Sequence, residues 1–173
     1  MKEVVWIYGP SASGKETFIR KLIDHPRKGL LRQFDWENKK IKVCQASLDY
    51  IGQFSNDPVV KMRQKIVDET IKLIKNTDVI LIKGQFDDFE AGRPQRIKNL
   101  LKEASHKIFI FRVDQTELSG RLAGKKWWND TYNAKKFSDY EQKFISGHIK
   151  ALEGFQIVEV DSSKTGEYKI LKR

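Results

Sequence analysis

The sequence predicts an α/β protein in which helices cover both faces of a parallel sheet of five strands. Short runs rich in β-branched and aromatic residues recur along the chain, and segments with helical periodicity separate them. The runs are almost continuously apolar, which is typical of strands that are buried on both faces. The predicted strands are Val4–Tyr8, Ile41–Ala46, Asp78–Lys83, Lys107–Val113 and Phe155–Val160.

Apolar spacing and starting residues predict the helices. Pro58 stands at a first helical position, and apolar residues then recur at helical spacing as far as Ile74. Asp114 and Ser138 are each followed three residues later by a glutamate, a spacing that satisfies the free amides of a helix start. The predicted helices are Lys15–Asp24, Pro58–Lys75 and Pro94–Ala104, with two further helices that begin at Asp114 and Ser138.

Length and composition indicate one domain over residues 1–173. A chain of 173 residues buries roughly 70% of its unfolded surface, which is enough for a sizeable core. No apolar run approaches the ~20 residues of a membrane span, so we expect no membrane partner. The single cysteine, Cys44, excludes an internal disulfide framework, and with three histidines it offers no evident zinc site. We expect a cytoplasmic protein.

The net charge of +10 favours polyanionic partners, which are nucleotides, nucleic acid or an acidic surface. An ordinary solvated exterior rich in lysine explains the same charge, and the sequence leaves both interpretations open. The basic residues are spread through every segment, with only a modest cluster over 20–42. This spread argues against a dedicated face for binding duplex nucleic acid.

A phosphate-binding loop is predicted directly after the first strand. The spacing Gly9-x-x-x-x-Gly14-Lys15 lies between a predicted strand and a predicted helix, which is the context that this motif requires. Glycines let the backbone curl closely around oxygen atoms, and the curled amides form an anion site with the helix start. Lys15 adds a positive charge beside the terminal phosphates. The predicted nucleotide-binding residues are Gly9, Pro10, Ser11, Ala12, Ser13, Gly14, Lys15, Glu16 and Thr17.

Gly9–Thr17 resembles the Gly-x-x-x-x-Gly-Lys-x-Thr loop of the adenylate kinase-like nucleotide and nucleoside kinases. The resemblance follows the order of elements over nearly the whole chain. It implies a three-layer P-loop kinase fold with a short lid, ATP and Mg²⁺ as cofactors, and Thr17 as a phosphate contact. Glu16 stands where many phosphate loops have a hydroxyl. It either helps Thr17 to hold Mg²⁺ or faces solvent as an acid favoured by the helix dipole.

The third predicted strand departs from the family pattern. In these kinases that strand commonly ends in an aspartate that orients magnesium-bound water, whereas this chain has Lys83 there, followed by the matching Gly84. Asp87 and Asp88 lie just beyond and could substitute for the missing carboxylate. The metal arrangement implied by the family is therefore altered in this sequence.

A lid is implied by the segment "ELSGRLAGKKWW", which resembles the helix-then-lid segment of the same kinases. Arg121 and Lys125 lie four residues apart on one helical face, and in the family such cations neutralise the transferring phosphoryl group. The lid is predicted over residues 125–137. Its aromatic residues, Trp127, Trp128 and Tyr132, either pack the lid onto the body or stack on bases.

The acceptor is expected beyond the carboxyl ends of the strands, beside the phosphate loop. Asp49 is the predicted catalytic carboxylate, which would orient or deprotonate an acceptor hydroxyl, although a turn or cap explains it equally well. Arg63 and Arg93 are predicted to bind an acceptor phosphate. The resemblance also implies that the turn Ser162–Thr165 lies against the adenine.

Together these features predict an ATP-dependent kinase that phosphorylates a nucleoside or nucleotide. One alternative keeps the chemistry but takes the 5′-hydroxyl end of a nucleic acid as the acceptor. Another is a nucleotide-binding module whose altered metal ligands have removed phosphoryl transfer. The acceptor and the oligomeric state stay open at this point.

Overall fold

A computed structural model of the chain describes residues 1–24, 26–48, 63–124, 147 and 152–172. The strands are β1 (Glu3–Tyr8), β2 (Ile41–Val43), β3 (Val79–Lys83), β4 (Ser105–Arg112), β5 (Gln156–Asp161) and β6 (Lys169–Lys172). The helices are α1 (Lys15–Ile23), α2 (Lys28–Gln33), α3 (Ile66–Leu73), α4 (Phe86–Glu90), α5 (Arg93–Leu100) and α6 (Gln115–Ala123). Short 3₁₀ turns lie at Gln45–Ser47 and Ile74–Asn76.

The strands form one sheet in the order β2-β3-β1-β4-β5-β6. The first five strands pair in parallel, which confirms the predicted parallel sheet. The sixth pairs antiparallel with β5, with Asp161 opposite Lys169, and the sequence did not predict it. Its residues are mostly exposed and two of its four are lysines, so it lacks the apolar run that marks the buried strands.

The sheet has an apolar core on each face. Successive side chains of β1 alternate between the faces, with Val5 and Ile7 in one core and Val4, Trp6 and Tyr8 in the other. Helices α1 and α2 cover the first core, while α3 and α5 cover the second. Because both faces are covered, all six residues of β1 are buried, and this explains why Val4–Tyr8 is continuously apolar.

The helix predictions were largely confirmed where the structure describes them. Asp114 caps α6, since its carboxylate accepts the amides of Thr116 and Glu117 at 3.0 and 3.2 Å. The described end of the predicted helix 58–75 is α3 with its following 3₁₀ turn, and its predicted start lies outside the described residues, as does the start at Ser138. Two short helices, α2 and α4, were not predicted because six and five residues are too few to establish a period.

The second strand is shorter than predicted. It ends at Val43, and residues 45–47 turn into a 3₁₀ helix instead of continuing the strand. The Glu69 carboxylate on α3 accepts the amides of Gln45 and Ala46, both at 2.7 Å. These bonds satisfy backbone donors that would otherwise pair in the sheet, so the chain leaves the sheet here.

A buried carboxylate fastens the amino-terminal edge of the sheet. Glu3 is almost fully buried and accepts hydrogen bonds from Lys107 at 2.6 Å, from Trp36 at 3.3 Å and from Lys39. This cluster lies at the opposite end of β1 from the phosphate loop. In the part of the chain that the structure describes, no helix is both long and apolar enough to cross a membrane.

Candidate functional site

The site lies where the parallel strands end at their carboxyl termini. Gly9 follows β1, Gly84 follows β3, and Ser162 follows β5. The Gly84 amide donates to the Ile7 carbonyl at 2.8 Å, which holds the ends of β3 and β1 side by side. In open α/β sheets this edge is where ligands bind.

The phosphate loop has the curled backbone that its sequence predicts. Ala12 and Gly14 have φ values of 61° and 87°, both in the left-handed region. The Ser13 amide donates to Pro10 at 3.2 Å, and the Phe18 amide donates to Gly14 at 2.9 Å as α1 begins. Left-handed residues that alternate with right-handed ones turn successive amides toward one point, which makes an anion-binding concavity. Alanine tolerates a positive φ only at a cost, so strain is concentrated at this loop.

Gly9 is required at its position because of packing. A Cβ added there would lie 2.8 Å from Phe111 Cβ and 2.9 Å from Ser13 Oγ. The Ser13 hydroxyl is itself buried, and within the described residues it has no hydrogen-bond partner. An orphaned hydroxyl inside a loop of converging amides fits a bound anion, since buried polar atoms are otherwise satisfied.

Lys15 folds back over the loop. Its Nζ donates to the carbonyl oxygens of Gly9 and Pro10, both at 2.7 Å, and the residue is only 8% exposed. The ammonium is therefore fixed above the loop. This is the place from which it can reach phosphate oxygens bound by the amides.

Tyr168 is a neighbour of the phosphate loop that the sequence did not predict. It lies just before β6, and its hydroxyl donates to the Gly14 carbonyl at 3.1 Å. Burial raises the pKa of Tyr168 to about 12, against the opposing effects of Arg121 and of a hydrogen bond with Thr17. The phenol is therefore neutral and serves as a donor that supports the loop. In the sequence, only the aromatic character of Tyr168 next to the lysines of β6 indicated that this side chain is buried against the body.

Glu16, which follows the loop lysine, lies beside Lys83, which departs from the family pattern. Glu16 Oε2 lies 3.5 Å from Lys83 Nζ, and Glu16 Oε1 accepts from Arg20 at 2.7 Å. Burial acts to raise the pKa of Glu16, but the hydrogen bond from Arg20 and the charge of Lys83 outweigh it, so this pKa lies below its usual value. The carboxylate is ionised, and both of its oxygens face cations.

The described side chains do not fit a magnesium ion held by the protein. Mg²⁺ needs oxygen ligands, often from one or two carboxylates, whereas an ammonium stands at the end of β3. Glu16 is already shared between Arg20 and Lys83, and no group of three or more potential ligands from His, Cys, Asp and Glu occurs in the described residues. For Glu16 the contacts with Arg20 and Lys83 argue against the predicted metal role, and for Thr17 that role stays a prediction.

The Asp88 carboxylate forms ion pairs with Arg63 and Arg93. It pairs with both Nε and Nη2 of Arg63, and it also accepts from Arg93 at 3.1 Å and from the Gln85 amide at 2.9 Å. Asp88 is fully buried, so it is not placed to substitute for the missing metal-side aspartate.

Arg63 and Arg93 thus point at Asp88 in this structure. Arg63 is 1% exposed and also donates to the carbonyls of Ser47 at 3.2 Å and Lys83 at 2.9 Å. This guanidinium holds the end of β3 instead of facing a cleft. Binding of an acceptor phosphate by either arginine stays a prediction, and for Arg63 the burial argues against it.

Arg121 bridges the phosphate loop and the turn after β5. It donates to Ala12 at 3.4 Å, to Ser162 at 2.9 Å and to Ser163 at 2.8 Å, and its Nε binds Glu117 at 2.8 Å. The structure thus brings Arg121 beside the loop, and its role in transfer stays a prediction.

The predicted turn Ser162–Thr165 begins against the loop, because the Ser162 hydroxyl donates to the Ser13 carbonyl at 2.8 Å. Contact of this turn with adenine stays a prediction. Asp49, Lys125 and the whole predicted lid 125–137, with Trp127, Trp128 and Tyr132, lie outside the described residues.

Comparison with solved structures agrees with this architecture. A structure from the PezAT chromosomal toxin-antitoxin system of Streptococcus pneumoniae matches with a TM-score of 0.59 at 14% identity, covering 99% of this chain and 72% of that one. Shikimate kinase from Bacteroides thetaiotaomicron matches with a TM-score of 0.46 at 13% identity, covering 95% of this chain and 89% of that one. No protein-family model and no curated protein matches the sequence. At 14% identity the likeness to the first of these structures shows the fold alone, an α/β sheet covered by helices.

Proposed function

We propose that this chain is an ATP-dependent phosphotransferase that acts on a nucleoside or nucleotide. The observation that carries the proposal is the loop 9–15, in which the curled backbone, the orphaned Ser13 hydroxyl and the folded-back Lys15 ammonium converge on one point. A polyphosphate supplies the anionic oxygens that such a point binds.

The binding step follows from the contacts of Lys15. Its ammonium donates to two neutral carbonyls, and hydrogen bonds between two charged partners are stronger. A triphosphate in the loop therefore competes well for the ammonium. In transfer, negative charge spreads over the oxygens of the moving phosphoryl group, and Lys15 with the Arg121 guanidinium would stabilise that charge from either side.

The acceptor is proposed to be small. The net charge of +10 attracts polyanions, but the basic residues are distributed along the whole sequence and do not form a sequence cluster for a polymer track. In this proposal Asp49 orients the acceptor hydroxyl and accepts its proton as the hydroxyl oxygen attacks the γ-phosphorus. The bond from that phosphorus to the β-phosphate oxygen breaks, and ADP leaves.

A second candidate is a module that binds ATP without transferring the phosphoryl group. The observation that favours it is the Glu16–Lys83 pair, because it stands where a metal arrangement for transfer is expected. Its distinguishing result is ATP binding without labelled product from any acceptor.

The experiment is a comparison of acceptors with γ-labelled ATP. Nucleosides, nucleoside monophosphates and 5′-hydroxyl oligonucleotides are incubated with the wild-type protein and with Lys15→Ala. Label on the mononucleosides or monophosphates, lost in Lys15→Ala, is the expected result. Label on the oligonucleotides alone contradicts the small acceptor, and salt-sensitive binding of the oligonucleotide would accompany it. Binding of ATP with no labelled product favours the second candidate.

A further inference from the structure

We propose that the Lys83 ammonium, held by Glu16, takes the place of a protein-bound divalent cation beside the phosphate loop. As a consequence, the chain binds the triphosphate of ATP without needing Mg²⁺. This inference rests on the proposed function, because it concerns how the same loop binds ATP.

The first argument is position. Lys83 is the last residue of β3 and pairs with Ile7 of β1 in the sheet register. Ile7 lies two residues before Gly9, the first glycine of the phosphate loop. Glu16 lies in the first turn of α1, directly after Lys15. The ion pair therefore joins the end of β3 to the start of α1, on either side of the loop that would hold the phosphates.

The second argument is that Lys83 is held in place. Its backbone amide donates to the Ser47 hydroxyl at 3.0 Å, and its carbonyl accepts from the buried Arg63 at 2.9 Å. The residue is 8% exposed, the same fraction as Lys15. Two nearly buried ammonium groups thus flank the loop from fixed positions. Preorganised charge of this kind does not need to be rearranged when an anion binds.

The third argument is the sign of the charges. A divalent cation at this position would lie close to the Lys83 ammonium and would compete with Lys83 and Arg20 for the Glu16 carboxylate. Like charges at such distances repel, whereas a polyphosphate attracts the same ammonium. The Glu16 and Lys83 side chains are opposite in charge and adjacent in space. In this pair the Lys83 ammonium supplies the positive charge that a metal ion would supply, and the Glu16 carboxylate holds the ammonium in position.

The test measures ATP binding by isothermal titration calorimetry in excess Mg²⁺ and in EDTA, so that it does not depend on turnover. We expect the wild-type dissociation constants in the two conditions to agree within about threefold. Lys83→Asp should weaken binding in EDTA by tenfold or more relative to binding in Mg²⁺, because the aspartate recreates the expected metal-side carboxylate and removes the cation. Lys83→Met should weaken binding in both conditions.

The matched control is Lys72→Asp, which makes the same change of charge at an exposed position of α3. Lys72 lies near the end of this helix, which precedes the amino-terminal end of β3, away from the phosphate loop. It should behave like the wild type in both conditions. A wild-type affinity that falls more than tenfold in EDTA overturns this inference and leaves the proposed function standing. Absence of ATP binding by the wild type in both conditions overturns the inference and the proposed function together. The comparison of wild-type affinities decides the question even where a Lys83 variant does not fold.

Discussion

The Arg63 guanidinium binds the Asp88 carboxylate through two nitrogens, and both side chains are inaccessible to solvent. The pair joins Arg63, three residues before the start of α3, to α4, and through the Lys83 carbonyl it also fixes the end of β3. Charges removed from water in this way are stable only while both partners are present. The relationship therefore connects the stability of the fold to the position of Lys83 beside the phosphate loop.

We expect Arg63→Met to destabilise the protein by about 3–5 kcal/mol, because it leaves the Asp88 carboxylate buried without its main partner. The free energy of unfolding is measured by urea denaturation. The control is Arg32→Met, which removes an exposed ion pair with Glu37 and should change the unfolding midpoint little. Equal midpoints for the two variants would contradict a structural role for Arg63.

Gly9→Ala is expected to damage the phosphate loop. The new Cβ would lie 2.8 Å from Phe111 Cβ and 2.9 Å from Ser13 Oγ, so the loop or β4 must shift. We expect ATP affinity to fall at least tenfold together with a lower melting temperature, since overpacking costs roughly 1–3 kcal/mol. Gly29→Ala is the matched control, because a Cβ there meets nothing within 4 Å and the residue is helical. Its ATP affinity should be unchanged.

Lys15→Ala tests the phosphate loop directly. Charge-assisted hydrogen bonds contribute about 1.5–3 kcal/mol each, so the variant should bind ATP roughly ten- to a hundredfold more weakly. Calorimetry measures the affinity, and circular dichroism checks that the fold is retained. Unchanged ATP affinity in a folded Lys15→Ala protein would remove the basis of the proposed function.

The stability of the fold should depend on pH through Glu3. Burial acts to raise the pKa of Glu3, but hydrogen bonds from Lys107 and Lys39 outweigh it, and this pKa lies below its ordinary value of 4.5. A lowered pKa in the folded state means that the stabilisation is complete above 4.5 and is lost as the pH falls through the folded value.

Melting temperatures between pH 6 and pH 3, taken at roughly half-unit steps, test this dependence. The wild type should lose stability toward the acid end, whereas Glu3→Gln should start less stable and lose less over the same interval. Parallel curves for the two proteins would show that other groups cause the acid sensitivity.

The sequence predicted the parts of the fold that local patterns determine. Buried strands such as β1 are apolar because both faces are covered, and Asp114 caps α6 through amides only two and three residues away. The phosphate loop was predicted for the same reason, since one short segment carries all of it. β6 was missed because an exposed edge strand needs no apolar face.

The surroundings of the loop could not be predicted because their contacts join distant segments. Tyr168 reaches Gly14 across 154 residues of sequence, and Lys83 reaches Glu16 across 67. Lys83 departs from the family pattern and Glu16 stands where many phosphate loops have a hydroxyl, so in the sequence only their opposite charges indicated that the two residues pair. The burial of Arg63 could not be inferred either, because arginine is usually exposed.

Arg121 is expected to act in phosphoryl transfer more than in ATP binding. Its guanidinium already binds the carbonyls of Ala12, Ser162 and Ser163, so it is held beside the loop before any ligand arrives. A contact that strengthens only as charge develops in transfer lowers kcat when it is removed and changes the dissociation constant little. Arg121→Ala should therefore lower kcat by 10²-fold or more, with a change in ATP affinity of less than about tenfold.

Arg121→Lys separates charge from geometry, because lysine keeps the positive charge but cannot reach two carbonyls and the loop with one planar group. It should recover part of the ATP affinity and little of kcat. Glu117→Gln is the companion control: it removes the carboxylate that binds Arg121 Nε at 2.8 Å and leaves the guanidinium itself in place. It should lower kcat far less than Arg121→Ala does. A wild-type kcat in Arg121→Ala, measured with the best acceptor from the labelled panel, would assign this arginine to the architecture of the loop alone.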